Sequence, residues 1–246
     1  MALDRLKNLI RVVEAATAWR TESMTYDGRA LRFVQSRWWH ETPEVFATEI
    51  GPYLDALRDR GPFATIVDAG AATGMFALMA AARFPQAMIH AFEPSVRQRV
   101  LLRRNSELNG VRDRVHLWPI GLWASGGTLP FRTHGALSSL SGVTMLPAGL
   151  RFDERVSVTT LDAWAREAKP GRIDLIKMDI EGAELEALAG ARLVLLRDGP
   201  DVLVQAYHIR EGARTLERCA ELLGELGYVT SEVAGHPGLL FGRASR

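Results

Sequence analysis

From about residue 62 onward, short continuous apolar runs alternate with stretches in which apolar residues recur at helical spacing. Runs such as ATIVD, IDLIKMD and DVLVQAY are the pattern of strands buried on both faces of a parallel sheet. Strands are predicted over 64–68, 87–92, 114–118, 173–178, 201–207, 227–233 and 238–242, and helices over 73–83, 95–108, 160–168, 183–195 and 211–225. This alternation predicts a doubly wound, mostly parallel seven-stranded α/β sheet with helices on both faces. Only Ala-Gly-His-Pro-Gly separates the last two strands, too short a link for a crossover helix, so they should pair as an antiparallel hairpin.

Residues 1–60 read as an N-terminal helical and hairpin extension, a lid or a dimer contact, and 61–246 as the main domain. Leu3, Leu6, Ile10 and Val13 recur at helical spacing, which predicts an amphipathic helix packed on its own domain or on a dimer mate. Lys7, Asn8, Arg11 and Glu14 interrupt any apolar core of a secretory signal. Asp27-Gly28 suits the positive φ of a hairpin turn, and 43–60 reads as a helix with Pro43 near its start. In 125–155, five glycines and two prolines break any period, which predicts a long irregular connection near a site.

Composition narrows the partners. Lys plus Arg number 30 against 29 Asp plus Glu, so nothing calls for nucleic acid. Cys219 is the only cysteine, which rules out an internal disulfide and suits a reducing, cytoplasmic setting. No apolar run approaches the roughly 18 residues of a membrane span.

In an open α/β sheet, ligands bind beyond the carboxyl ends of the strands. Those ends carry Asp68 to Gly74, Glu93, Asp179 to Gly182, and Tyr207-His208. In the first loop Gly70 permits a tight turn, Ala71 and Ala72 let a ligand approach the backbone, Thr73 can cap the helix, and Gly74 allows close packing. A dinucleotide site would want Gly-x-Gly-x-x-Gly with pyrophosphate at the helix N-terminus. The spacing here is Asp68-x-Gly70-x-Ala72-x-Gly74, and an acid before the turn suits a ligand bearing an ammonium and a sulfonium better than a pyrophosphate. Glu93 can accept two hydrogen bonds from adjacent ribose hydroxyls. Lys177 and Asp179 share strand parity, and with Glu181 they should perturb one another's pKa.

VDAGAATGMFAL, HAFEP, RRNSELNG, VTTLDAW, IDLIKMDIEGAELEAL and the final ELGY together resemble the FkbM family of S-adenosylmethionine (SAM)-dependent methyltransferases, across about residues 60–230. IKMDIEGAE is the most specific element. The resemblance implies a class I, Rossmann-like methyltransferase acting on a hydroxyl of a sugar, polyketide or other secondary metabolite. It implies cofactor contacts at Asp68, Gly70, Ala71, Gly74, Glu93 with Pro94, and Asp179, and an adenine-side contact near Gly121-Leu122. Two positions depart from the family pattern: Ala72-Thr73-Gly74 stands where Asn-x-Gly is common, and Gln205 where a Glu is common.

Methyl transfer to an alcohol needs alignment and a base or a metal. His208 is the leading base, Asp179 and Glu181 are rivals, and Lys177 could polarise the acceptor oxygen. A divalent metal is the less favoured route, because Gln205-Ala206-Tyr207-His208 supplies no acidic pair opposite Asp179. Trp38, Trp39, His134, Ser138 and Ser139 are candidate acceptor contacts, since flat aromatic faces suit sugars and rings. The rival readings are a NAD-dependent oxidoreductase and a non-catalytic SAM-binding protein.

Overall fold

The computed structural model describes residues 19–36, 48–133, 139–140, 152–210 and 212–245. The predicted N-terminal helix over 3–13, Pro43, Trp38, Trp39, His134 and Ser138 lie outside them.

Seven strands form the central sheet: β3 (Thr65–Ala69), β4 (Met88–Phe92), β5 (Val115–Trp118), β10 (Leu175–Met178), β11 (Asp201–Gln205), β14 (Tyr228–Glu232) and β15 (Leu239–Ala244). Their order is β14-β15-β11-β10-β3-β4-β5. Six run in one direction, and β15 alone is reversed, antiparallel to both β11 and β14, as the short final link requires. Chain order reverses beside β3, which opens a crevice between the ends of β3, β4 and β10.

Adjacent residues of each strand face opposite sides, and in the inner strands β3, β4, β10 and β11 both sides are buried. Ile66, Leu175 and Leu203 enter one core with α2 (Met75–Arg83); Val67, Ile176 and Val202 enter the other with α4 (Leu161–Ala168) and α7 (Thr215–Glu225). The hairpin of β1 (Trp19–Tyr26) and β2 (Arg29–Ser36) turns at Asp27-Gly28, both at positive φ. Its Leu31 and Phe33 belong to the first core, as do Tyr53, Leu54 and Leu57. Among the described residues no helix is long and apolar enough to cross a membrane.

Four local expectations are corrected. The helix expected over 43–60 is interrupted: the described part is helical at 48–49 and again in the short α1 (Gly51–Asp55). Pro52 lies in its first turn, where its missing N–H is tolerated but blocks continuation of a helix from upstream. The stretch 125–155 is not irregular throughout: β7 (Gly127–Thr133) and β9 (Phe152–Thr159) pair antiparallel, with β6 (Gly121–Leu122) and β8 (Ser139–Leu140) at their sides. Val156 and Val158 are buried while Arg155 and Ser157 are exposed, a period-two signal masked by the nearby glycines. The helix over 183–195 is two helices, α5 (Glu184–Ala189) and α6 (Arg192–Asp198), separated at Gly190. The last helix begins at Thr215 because Ile209–Arg210 and Ala213–Arg214 (β12 and β13) pair as a ribbon.

Candidate active site

The loop after β3 is built on left-handed backbone: φ is 74° at Gly70, 46° at Ala72 and 90° at Gly74. Any Cβ at Gly70 would run into the Asp179 carbonyl, so glycine brings the ends of β3 and β10 together. Gly74 packs on Leu102 of α3 (Val96–Leu108). Gly74 itself occupies the N-cap of α2 with no side-chain cap, which corrects the capping role read for Thr73. The Thr73 carbonyl instead accepts from Asn105 Nδ2 at 2.9 Å.

Glu93 leaves β4 with its carboxylate pinned. Oε2 accepts the Ala72 N–H at 2.9 Å and Oε1 the Ser95 N–H at 2.7 Å. Burial pushes this carboxyl up to about 7, against the pull of those two N–H groups. Each oxygen keeps a further lone pair.

Lys177 and Asp68 stand opposite each other in the β10–β3 register. Their charged ends are 3.1 Å apart and almost wholly buried. Lys177 Nζ also reaches the carbonyls of Gly70 at 3.0 Å and Ala69 at 3.4 Å. Burial alone would lower the Lys177 pKa, but Asp68 and Asp179 hold it above the usual range. These contacts give Lys177 a structural part in tying the turn after β3 to β10, beside the polarising role read for it from the sequence. Asp68 is corrected: it is 0% exposed and lies beneath the cleft, not among the residues that line it.

The cleft above this pair holds about 1090 Å³ of empty space, mouth included. Gly70, Ala71, Glu93, Pro94, Gly121, Lys177, Asp179 and Glu181 line it, so most of the predicted site converges. Phe92, Leu122, Phe131 and Ile180 add apolar wall. Two features were missed from the sequence. Glu49 lines the mouth, and the buried Tyr53 donates its hydroxyl to Asp179 Oδ2 at 3.0 Å. No local pattern brings α1 to β10; a Tyr in an apolar segment reads only as core.

His208 is placed elsewhere than predicted. It is 8% exposed, is not among the residues lining the cleft, and stacks on Tyr207 with ring centroids 4.2 Å apart. Its Nε2 meets Glu181 Oε2 at 3.4 Å. The reading of His208 as a base in direct contact with an acceptor is therefore corrected, because the segment after β11 turns the ring toward the loop of Glu181. Ser139 contributes backbone to β8, and its side chain lies outside the described residues. Among the described residues no group of three or more His, Cys, Asp or Glu side chains is arranged to hold a metal ion.

These features fit SAM on observations of the chain itself. The Gly70 cradle has no room for a side chain, Ala72 is small, and the fixed Glu93 carboxylate can still accept two adjacent hydroxyls. The sheet order, the terminal antiparallel strand pair and this cleft define a Rossmann-like methyltransferase fold.

Within that class the chain belongs to the Methyltransferase FkbM domain family, whose pattern matches residues 68–230. It is 36% identical over 155 residues to Methyltransferase sdnD of Sordaria araneosa, covering 51% of this chain and 59% of that one. It is 31% identical over 150 residues to 2-O-methyltransferase NoeI of Sinorhizobium fredii, covering 55% of this chain and 60% of that one. The matched parts thus span about three fifths of these relatives. Among solved structures, Methyltransferase FkbM from Methylobacillus flagellatus KT superposes with a TM-score of 0.52 at 19% identity, over 74% of this chain and 43% of that one. The SAM-dependent methyltransferase from Agrobacterium tumefaciens gives 0.52 at 14%, over 92% and 70%. These two likenesses concern the fold alone.

Proposed function

We propose that the chain is a SAM-dependent O-methyltransferase acting on a hydroxyl of a sugar, polyketide or other secondary metabolite. The observation that carries the reading is the cleft at the β3–β10 crossover, with a pinned carboxylate on one side and Asp179 and Glu181 on the other. When bound, SAM supplies an activated methyl group. Gly70 and Ala71 would take its amino-acid end along the backbone, Glu93 its ribose hydroxyls, and Pro94, Gly121 and Leu122 its ring. Asp179, fixed by Tyr53, would align the acceptor, and Glu181 would receive the acceptor's proton. Trp38, Trp39, His134, Ser138 and Ser139 remain the proposed acceptor contacts, and residues 1–60 a proposed lid or dimer contact; Glu49 and Ile50 of this extension line the cleft. The 2-O-methyltransferase activity in the name of NoeI supports a hydroxyl acceptor.

Calorimetry tests this reading: SAM should bind and NAD should not. A carboxyl held up near 7 must give up its proton before it can accept two hydroxyls. SAM affinity should therefore rise with pH up to about 7, approaching tenfold per unit, then level off. Glu93→Gln should bind weakly and lose that slope. Binding of NAD but not SAM would refute the proposal.

A further inference from the structure

The loop from Asp179 to Gly182 holds a non-glycine residue, Glu181, at φ 56°, followed by Gly182 at φ 94°. Left-handed backbone at a glutamate costs of order 1 kcal/mol or more and persists only where its surroundings impose it. The imposing group is Glu184, which is 0% exposed at the start of α5. Its Oε1 accepts the N–H of Ile180 at 3.2 Å and of Gly182 at 3.0 Å, from either side of Glu181. Its Oε2 is buried and has no hydrogen-bond partner among the described residues. His208 Nδ1 is orphaned in the same way and stands 3.9 Å from that oxygen. The opposite nitrogen of the same ring meets Glu181. Two unsatisfied buried groups facing each other are expensive as neighbours and favourable once a proton lies between them.

We propose that Glu184 is a positioning residue of the reaction: it folds the 180–182 loop with one oxygen and orients His208 with the other, so that His208 takes from Glu181 the proton that Glu181 receives at the cleft. This rests on the O-methyltransferase reading. The acceptor's hydroxyl proton passes to the Glu181 carboxylate, and the oxygen keeps the electron pair that bonds to the methyl carbon. The proton then moves to His208 Nε2 while Nδ1–H points at Glu184. His208 ends as an imidazolium between two carboxylates and later returns its proton to water. The order resembles a Ser-His-Asp relay, in which a buried carboxylate orients the imidazole.

The groups facing His208 agree with this assignment. Glu181 comes from the loop, Glu184 from α5, Asp179 from the end of β10, and Tyr207 from its own segment. Glu186 on α5 is neutralised by Arg210 at 2.8 Å. Cys219 on α7 is buried, and burial raises its thiol further above neutrality. Burial alone would lower the His208 pKa, but Glu181, Glu184 and Asp179 together raise it.

The test uses the full chain labelled with 15N-histidine. Imidazole titrations are followed by NMR, and His208 is assigned by its loss in His208→Gln. His208 should titrate above an ordinary histidine. Glu184→Gln keeps an oxygen for the Ile180 and Gly182 N–H groups, so SAM affinity should stay within about twofold, yet His208 should bind its proton about tenfold more weakly. A His208 titration unmoved by Glu184→Gln overturns the proposal, because the second carboxylate oxygen would then have no hold on the ring. If Glu184→Gln does not fold, the unsubstituted protein decides: His208 titrating at or below the ordinary value overturns the relay. Failure of that protein to bind SAM would instead refute the methyltransferase reading and leave the histidine measurement standing.

Discussion

At the scale of single residues, the floor of the cleft depends on one charge pair. Lys177 serves three acceptors at once, Asp68 and the carbonyls of Ala69 and Gly70. It therefore ties the turn after β3 to β10. Lys177→Met would keep the volume and strand the Asp68 carboxylate in an apolar interior. Loss of one partner of a buried pair costs about 3–5 kcal/mol. Urea unfolding should show a loss of that order, and the Asp68→Asn/Lys177→Met double variant should recover part of it. A double variant no more stable than Lys177→Met alone would show that the pair is not the coupling element.

At the scale of elements, glycine decides where α5 ends. Gly190 has an ordinary helical φ; its requirement is space, since a Cβ would run into the Trp123 carbonyl. That contact sets α5 and α6 against the start of α4, where Gly190 O accepts from Asp162 N at 3.0 Å. The Asp162 carboxylate in turn accepts the N–H groups of Leu193 and Val194, capping α6 from a neighbouring helix. Gly190→Ala should shift this joint and destabilise by about 2–3 kcal/mol. Thermal unfolding would show it as a fall of several degrees. An unchanged Tm would mean that the joint yields without cost.

At the scale of the whole molecule, one amide joins three distant pieces. Asn105 is 0% exposed. Its Oδ1 accepts Val34 N at 2.6 Å, and its Nδ2 donates to Val34 O at 3.3 Å and Thr73 O at 2.9 Å. The N-terminal hairpin, α3 and the first loop of the cleft are thereby linked, and Leu31 and Phe33 add apolar burial to the same joint. Asn105→Leu is close in volume and abolishes all three bonds. Each buried group left unpaired costs about 1–3 kcal/mol. Stability should fall by a few kcal/mol in urea, and SAM affinity should weaken although Asn105 does not line the cleft. Unaltered affinity in a folded Asn105→Leu variant would show that the first loop holds its shape without the hairpin.

The sequence by itself determined the elements whose signals are local. Apolar runs and helical periodicity placed all seven strands of the main sheet, and a five-residue link required the antiparallel end. The spacing of Asp68, Gly70 and Gly74, with Glu93 and IKMDIEGAE, marked where the cleft lies, because ligand sites collect at strand ends. Only the tertiary structure decided which side chains face which. Register, not spacing, sets Lys177 opposite Asp68, which buries the Asp68 carboxylate while Lys177 stays on the cleft wall. Tyr53 reaches Asp179 across 126 positions of chain, a contact that no local pattern encodes. The segment after β11 keeps His208 off the cleft wall and turns it toward Glu181, with Glu184 at its other nitrogen. Periodicity reports which face of an element is buried; partner choice on that face follows from strand order, register and close backbone approach, which exist only once the chain has folded.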